Sequence, residues 1–230
     1  MSLFYWTKQW SISECLHLLK HPMYALVFLR FRRNTLVGLK NFCANLRLAN
    51  CYRHLPGAIV ECGTWKGGMI AGLAWLFGTK RRYYLFDSFE GLPPAKEIDG
   101  ARALRWQANT KSPNYFNNCR ASIEDAQEAM QRAGISDATI VKGWFENTLP
   151  ATAINDGILI LRMDGDWYDS TMCILNSLFN QVVCGGCLII DDYYCWDGCS
   201  KAVHDFLSRN NRSERISMFN DRVAFIVKHP

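Results

Sequence analysis

Five short apolar runs constrain this chain more tightly than anything else in it. They read "GAIVECG", "RRYYLFDSF", "ATIVKGWF", "GILILRMDGD" and "GGCLIIDDY". Each is nearly continuous in apolar residues rather than alternating, the pattern of a strand covered on both faces. The stretches between them include "TWKGGMIAGLAWLFG", "SIEDAQEAMQRAG", "STMCILNSLFNQVV" and "CSKAVHDFLSRN", which read as helices. "SIEDAQEAMQRAG" marks both its own ends, with Ser122 as a cap and Gly134 as the stop. Strands alternating with helices build βαβ units, so the class is α/β with a mostly parallel sheet. "RISMFNDRVAFIVK" then reads as two strands around an Asn220-Asp221 turn, which makes the last strand antiparallel.

A chain of 230 residues suits one domain with a small extension. Residues 1–55 read as a helical N-terminal extension and 56–230 as the main domain. In the extension, "SISECLHLLKHP" opens on Ser caps and stops at Pro22, and a longer stretch with helical periodicity follows. Phe4, Tyr5, Trp6 and Trp10 make its start aromatic, suited to a lid, a homodimer surface or packing onto the domain. The region from Leu92 to Asn118 is the least regular and reads as a long loop or lid over one end of the sheet.

Net charge is +5, and Lys and Arg are scattered in short clusters such as "RFRR" and "KRR". That falls well short of a nucleic-acid footprint. The longest apolar run near the N-terminus, "YALVFL", is too short to span a bilayer, and no signal-peptide pattern precedes it. Most of the ten cysteines sit inside apolar stretches, as buried free thiols do in a reducing compartment. A cytoplasmic protein is expected.

In open α/β sheets, ligands bind beyond the carboxyl ends of the strands. Glu61, Gly63, Gly67 and Gly68 stand at the first end, and Asp87 and Ser88 at the second. Gly143, Trp144 and Phe145 stand at the third, Asp164 and Asp166 at the fourth, Asp191 and Asp192 at the fifth. The turn "ECGTWKGG" fits neither GxxxxGK[ST] nor GxGxxG, so it is no phosphate loop. An acid at Asp87 suits ribose hydroxyls, and Trp144 and Phe145 can bracket an adenine. S-adenosylmethionine fits such a site, having adenosine but no pyrophosphate.

Carboxylates crowded at adjacent strand ends repel and raise one another's pKa. No cationic neighbour for them is evident in the sequence, so a divalent ion is expected to neutralise them. All-oxygen donors indicate Mg²⁺ or Mn²⁺. Asp164, Asp191 and Asp192 are the candidate ligands, with Asp166 facing the same cavity. Asp169, Ser170 and Asp197 read as helix caps.

"VECGTWKGG", "LFDSFEGLP", "GWFENTLP", "LRMDGDWYDST" and "GGCLIIDDYYCWDGCSKAVHDF" together resemble the TylF, or macrocin, O-methyltransferase family over about residues 56–228. The resemblance implies a Rossmann-like class I methyltransferase with a seven-stranded sheet. It also implies an S-adenosylmethionine-dependent, Mg²⁺-dependent O-methyltransferase acting on a sugar of a natural-product glycoside. By resemblance Asp166 is the general base, Asp164, Asp191 and Asp192 bind the metal, and Asp87 binds ribose. Glu61, Cys62, Gly63, Thr64, Gly67 and Gly68 wall the methionine end, with Ser88, Gly143, Trp144, Phe145 and Asp164 completing the cofactor site. Trp6, Trp10, Trp106 and Tyr115 are candidates for the acceptor pocket. A phenolic acceptor is the first alternative. A HAD-like phosphatase, suggested by "DGDWY", and a cofactor-binding protein without catalysis are the others.

Overall fold

The apolar runs become strands because most of their side chains are buried on alternate faces of one sheet, each face covered by helices; the run over 139–142, at the sheet edge, is the exception and holds no fully buried residue. The computed structural model describes residues 20–230. The expected Ser-capped helix ahead of Pro22, together with Phe4, Tyr5, Trp6 and Trp10, lies outside them.

The chain runs α1 (Pro22–Phe31), α2 (Leu39–Cys51), β1 (Ala58–Cys62), α3 (Gly68–Phe77) and β2 (Tyr83–Asp87). It continues through α4 (Gly100–Ala108), α5 (Ile123–Arg132), β3 (Thr139–Lys142), α6 (Phe145–Thr148) and β4 (Ile158–Met163). α7 (Tyr168–Leu178), β5 (Val182–Ile190), α8 (Asp197–Arg209), β6 (Ser217–Phe219) and β7 (Val223–Val227) complete it. The seven strands lie in the order β3-β2-β1-β4-β5-β7-β6. β1 to β5 are parallel, and β7 runs antiparallel to β5. Asn220 and Asp221 both take positive φ, as a tight hairpin turn between twisted strands requires.

Every residue of β1 and β4 is buried. Ile59, Leu85 and Ile189 face one apolar layer with Val27, Phe42, Leu73 and Met130. Val60, Phe86 and Leu188 face the other with Leu175 and Phe206. α1 and α2 therefore share the core of the sheet. The strand order reverses between β1 and β4, so a crevice opens beyond their carboxyl ends.

The region from Leu92 to Asn118 is more ordered than its Pro and Gly content suggests. It contains α4, which buries Ala103 and follows a 3₁₀ turn at Glu97–Asp99. The expected caps are also different. α7 starts after Trp167 and α8 after Trp196, and neither of these side chains caps its own helix. Asp169 and Asp197 lie inside the first turns instead. The cap of α7 comes from far away in sequence. Buried Asp99 accepts the Tyr168 N–H on Oδ1 and the Lys96 N–H on Oδ2, each at 2.7 Å. One carboxylate thus latches the cover segment to the start of α7, where the helix dipole favours negative charge. Asp99→Ala should cost about 2–3 kcal/mol, because it removes a cap and strands two N–H groups. For a chain of this size, thermal denaturation should read that as a Tm drop of roughly 4–12 °C.

Candidate active site beyond β1 and β4

The glycine turn after β1 is shaped by close approach. Gly63 has φ +86°, and a Cβ there would collide with the Asp164 carbonyl. The Asp164 N–H in turn donates to the Cys62 carbonyl at 2.8 Å. Gly68 lies so close to the Asn34 carbonyl that a Cβ would strike it, which seats the segment between α1 and α2 on the start of α3. Asp87 organises the same turn. Its Oδ2 accepts the Thr64 and Trp65 N–H groups at 2.7 Å each, and its Oδ1 accepts the Phe89 N–H at 2.6 Å. Burial pushes its pKa up, and these three amides oppose the shift. Oδ1 accepts that single bond and so retains acceptor capacity.

The strand-end acids do have a cationic neighbour, contrary to the expectation from sequence. Arg162 on β4 is 1% exposed. Its Nη1 donates to Glu61 Oε1 at 2.9 Å and to Asp164 Oδ2 at 2.7 Å. Its Nη2 lies 2.7 Å from Asp191 Oδ1, an ion pair by distance whose N–H is not aimed at the oxygen. Its Nε donates to Asn45 Oδ1 on α2 at 3.3 Å. Glu61 and Arg162 are register partners on neighbouring strands, and Asp164 follows Arg162 by two residues, so it projects to the same side. Burial pushes Glu61 up to about 8, against the pull of Arg162. Glu61 Oε2 is buried without a hydrogen-bond partner.

One guanidinium serves three carboxylates, and two more acids stand beside them. Asp164, Asp166 and Asp192 each offer an oxygen within 4.8 Å of the others. Burial, and then the neighbouring acids, push Asp166 and Asp192 well above the usual carboxylate range. Asp191, turned toward Arg162, is raised to about 6 by burial, with Arg162 opposing. Asp166 sits at φ +57°, in the left-handed region that Asp tolerates better than most non-glycine residues. Its N–H donates to Asp192 Oδ2 at 3.1 Å, and Trp196 Nε1 donates to its Oδ1 at 2.9 Å.

A cavity of about 320 Å³ opens over this cluster, within the range of small-molecule sites. Glu61, Gly63, Thr64, Asp87, Asp164, Asp166, Asp191 and Asp192 all line it. A smaller adjoining cavity is bounded by Asp87, Ser88, Gly143, Trp144 and Phe145. The two share Gly63, Asp87, Gly91, Leu92 and Asp164. Of the other sequence candidates, Cys62 is packed in the core, and Gly67, at φ +75°, and Gly68 shape the turn. Trp106 lines the large cavity with Trp196, and Tyr115 packs on Trp106 at 5.5 Å. Trp6 and Trp10 lie outside the described residues.

Arg162, Asn45, Trp196 and the segment Asn34–Val37 belong to the site without having been singled out in the sequence. Arg162 did leave a signal. A charged residue inside a strand buried on both faces must have partners, and the acid two positions on is one of them.

The family described as Macrocin-O-methyltransferase (TylF) matches residues 34–228, starting inside the N-terminal helices rather than at 56. The chain is 34% identical over 203 residues to the 8-demethyl-8-(2,3-dimethoxy-alpha-L-rhamnosyl)-tetracenomycin-C 4'-O-methyltransferase of Streptomyces olivaceus, covering 84% of this chain and 74% of that one. It is 31% identical over 194 residues to the mycinamicin III 3''-O-methyltransferase of Micromonospora griseorubida, covering 80% of this chain and 74% of that one. Among solved structures, the O-methyltransferase NovP superimposes with a TM-score of 0.71 at 26% identity, covering 86% of this chain and 83% of that one.

Proposed function

The chain belongs to the macrocin-O-methyltransferase (TylF) family and is an S-adenosylmethionine-dependent O-methyltransferase, and from that premise we propose that it methylates a sugar hydroxyl of a natural-product glycoside with the help of a divalent cation. The observation that carries the proposal is the acid cluster, with three carboxylate oxygens within 4.8 Å of one another on the floor of the cavity. A rhamnosyl acceptor is named for the Streptomyces olivaceus relative.

The two cavities divide the work. Ser88, Gly143, Trp144 and Phe145 take the adenine end of S-adenosylmethionine. Asp87 faces the ribose through the remaining acceptor capacity of Oδ1. The orphan Oε2 of Glu61 is an acceptor for the ammonium at the methionine end, whose charge also offsets the surplus of acids. The acceptor sugar then enters on the side of Trp106 and Trp196.

The oxygen-only cluster fits Mg²⁺ or Mn²⁺. Asp164 and Asp192 would hold the ion, with Asp166 or Asp191 as the third acid. Bound there, it would orient the acceptor and favour its ionised form. Asp166 takes the acceptor proton. The acceptor oxygen forms a bond to the methyl carbon as the S–CH₃ bond breaks, and S-adenosylhomocysteine leaves. Free thiols at all nine described cysteines suit a reducing, cytoplasmic setting. No helix among the described residues is long and apolar enough to cross a membrane.

Calorimetric titration of S-adenosylhomocysteine should show micromolar affinity, about −8 kcal/mol, at one site per chain. With an excess of EDTA the affinity should persist and turnover on a sugar acceptor should stop, returning when Mg²⁺ is added back. Undiminished turnover in EDTA would remove the metal from the proposal. No binding to folded protein would remove the cofactor assignment.

A further inference from the structure

We propose that Trp196 is a positioning residue for the Asp166 base, its indole N–H holding Oδ1 so that Oδ2 faces the acceptor hydroxyl. The inference rests on the assignment of Asp166 as the base and concerns what keeps that carboxylate in a productive orientation.

Four indoles among the described residues donate a hydrogen bond. Trp65, Trp106 and Trp167 donate to the backbone carbonyls of Arg120, Asn114 and Pro93. Trp196 alone among them donates to a carboxylate, at 2.9 Å. Its ring is held from several sides. Trp167 lies 5.2 Å from it and Trp106 6.0 Å, both edge-on. The Arg102 guanidinium stands 5.2 Å from the ring centroid and is itself tied to the Cys195 carbonyl. The Trp196 N–H donates to the Asp192 carbonyl at 3.0 Å, linking the indole to the loop that carries the acids.

Asp166 needs such a support. Its backbone is fixed, at positive φ with its N–H on Asp192, yet a short carboxylate still turns about its own bonds. One donor on Oδ1 removes that freedom and leaves the second oxygen for the acceptor. A base must lie within hydrogen-bond reach of the proton it takes, and misplacement by about 1 Å can cost 10²-fold in rate.

The test is a double-mutant cycle between Trp196→Phe and Asp166→Asn, read as kcat, S-adenosylhomocysteine affinity and the indole N–H resonance. Trp196→Phe should lower kcat about 10- to 100-fold, the usual effect of losing a residue that supports a functional group. S-adenosylhomocysteine affinity should stay within about twofold, because the indole lies on the acceptor side of the cavity. In the Asp166→Asn background the same change should alter residual turnover less than about twofold, because groups acting as a unit are not additive. The Trp196 indole N–H resonance, assigned by triple-resonance spectra, should move upfield in Asp166→Asn. If Trp196→Phe does not fold, a tryptophan analogue with sulfur in place of the indole nitrogen keeps the shape and lacks the donor. Additive losses, or normal kcat without the N–H beside an inactive Asp166→Asn, would overturn the proposal and leave the base assignment standing. Normal turnover in Asp166→Asn would overturn both.

Discussion

Asp166→Asn should lower kcat by about 10³-fold, within the 10²- to 10⁴-fold range for loss of a general base, while S-adenosylhomocysteine still binds with unchanged affinity. The amide has nearly the shape of the carboxylate, so the positive-φ turn and the bond to Trp196 can both survive. The indole N–H at 2.9 Å then selects the orientation of the side chain. The amide oxygen stays on Trp196, and the NH₂ group points to where the acceptor proton would have gone. A donor then faces a donor, and no base remains on that side. Asp166 also lies in the group of acids whose oxygens are within 4.8 Å of one another, so Mg²⁺ affinity separates two contributions. If the acid only takes the proton, the Mg²⁺ requirement is unchanged. If it also ligates, more Mg²⁺ is needed, yet saturating Mg²⁺ should leave kcat low. Normal turnover in this variant would place the base elsewhere.

The acids at the strand ends were legible from sequence because each follows a run that can only be a buried strand, and the parallel sheet brings those ends to one edge. The hairpin was legible because Asn-Asp between apolar runs signals a turn. What sequence concealed is pairing at a distance. Arg162 looks like one charge in a strand until the register sets it opposite Glu61 and the next strand brings Asp191 to its guanidinium. The cap of α7 went astray because the local candidate, Asp169, lost to a residue about seventy positions away, Asp99, whereas Asp197 sits inside the first turn of α8, whose N-cap is Trp196. α4 was missed because Pro93, Pro94 and Gly100 dominate the local signal, although "ARALRWQA" is helix-forming. Trp196 carries no signal of its own, since its importance lies in where its N–H ends.

Arg162→Met should destabilise the fold by about 3–5 kcal/mol, the usual result of removing one partner from a buried ion pair. Thermal denaturation in EDTA should then show a Tm lower by roughly 6–20 °C. The side chain it replaces is 1% exposed, and so is Glu61. Without the guanidinium, Glu61, Asp164 and Asp191 lose their shared counter-charge, and the fully buried Glu61 is stranded most severely, the two aspartates being partly open to the cavity. Met fills similar space, so packing loss contributes little and the effect isolates the charge. Two further measurements check this cause. Adding Glu61→Gln and Asp191→Asn to Arg162→Met should recover part of the lost Tm, because the stranded charges go with the cation. Mg²⁺ should raise the Tm of Arg162→Met more than that of the unaltered protein, because a divalent ion at Asp164 supplies some of the missing positive charge. A variant melting within about 2 °C of the parent would mean that the ion pairs to Arg162 add little net stability to the fold.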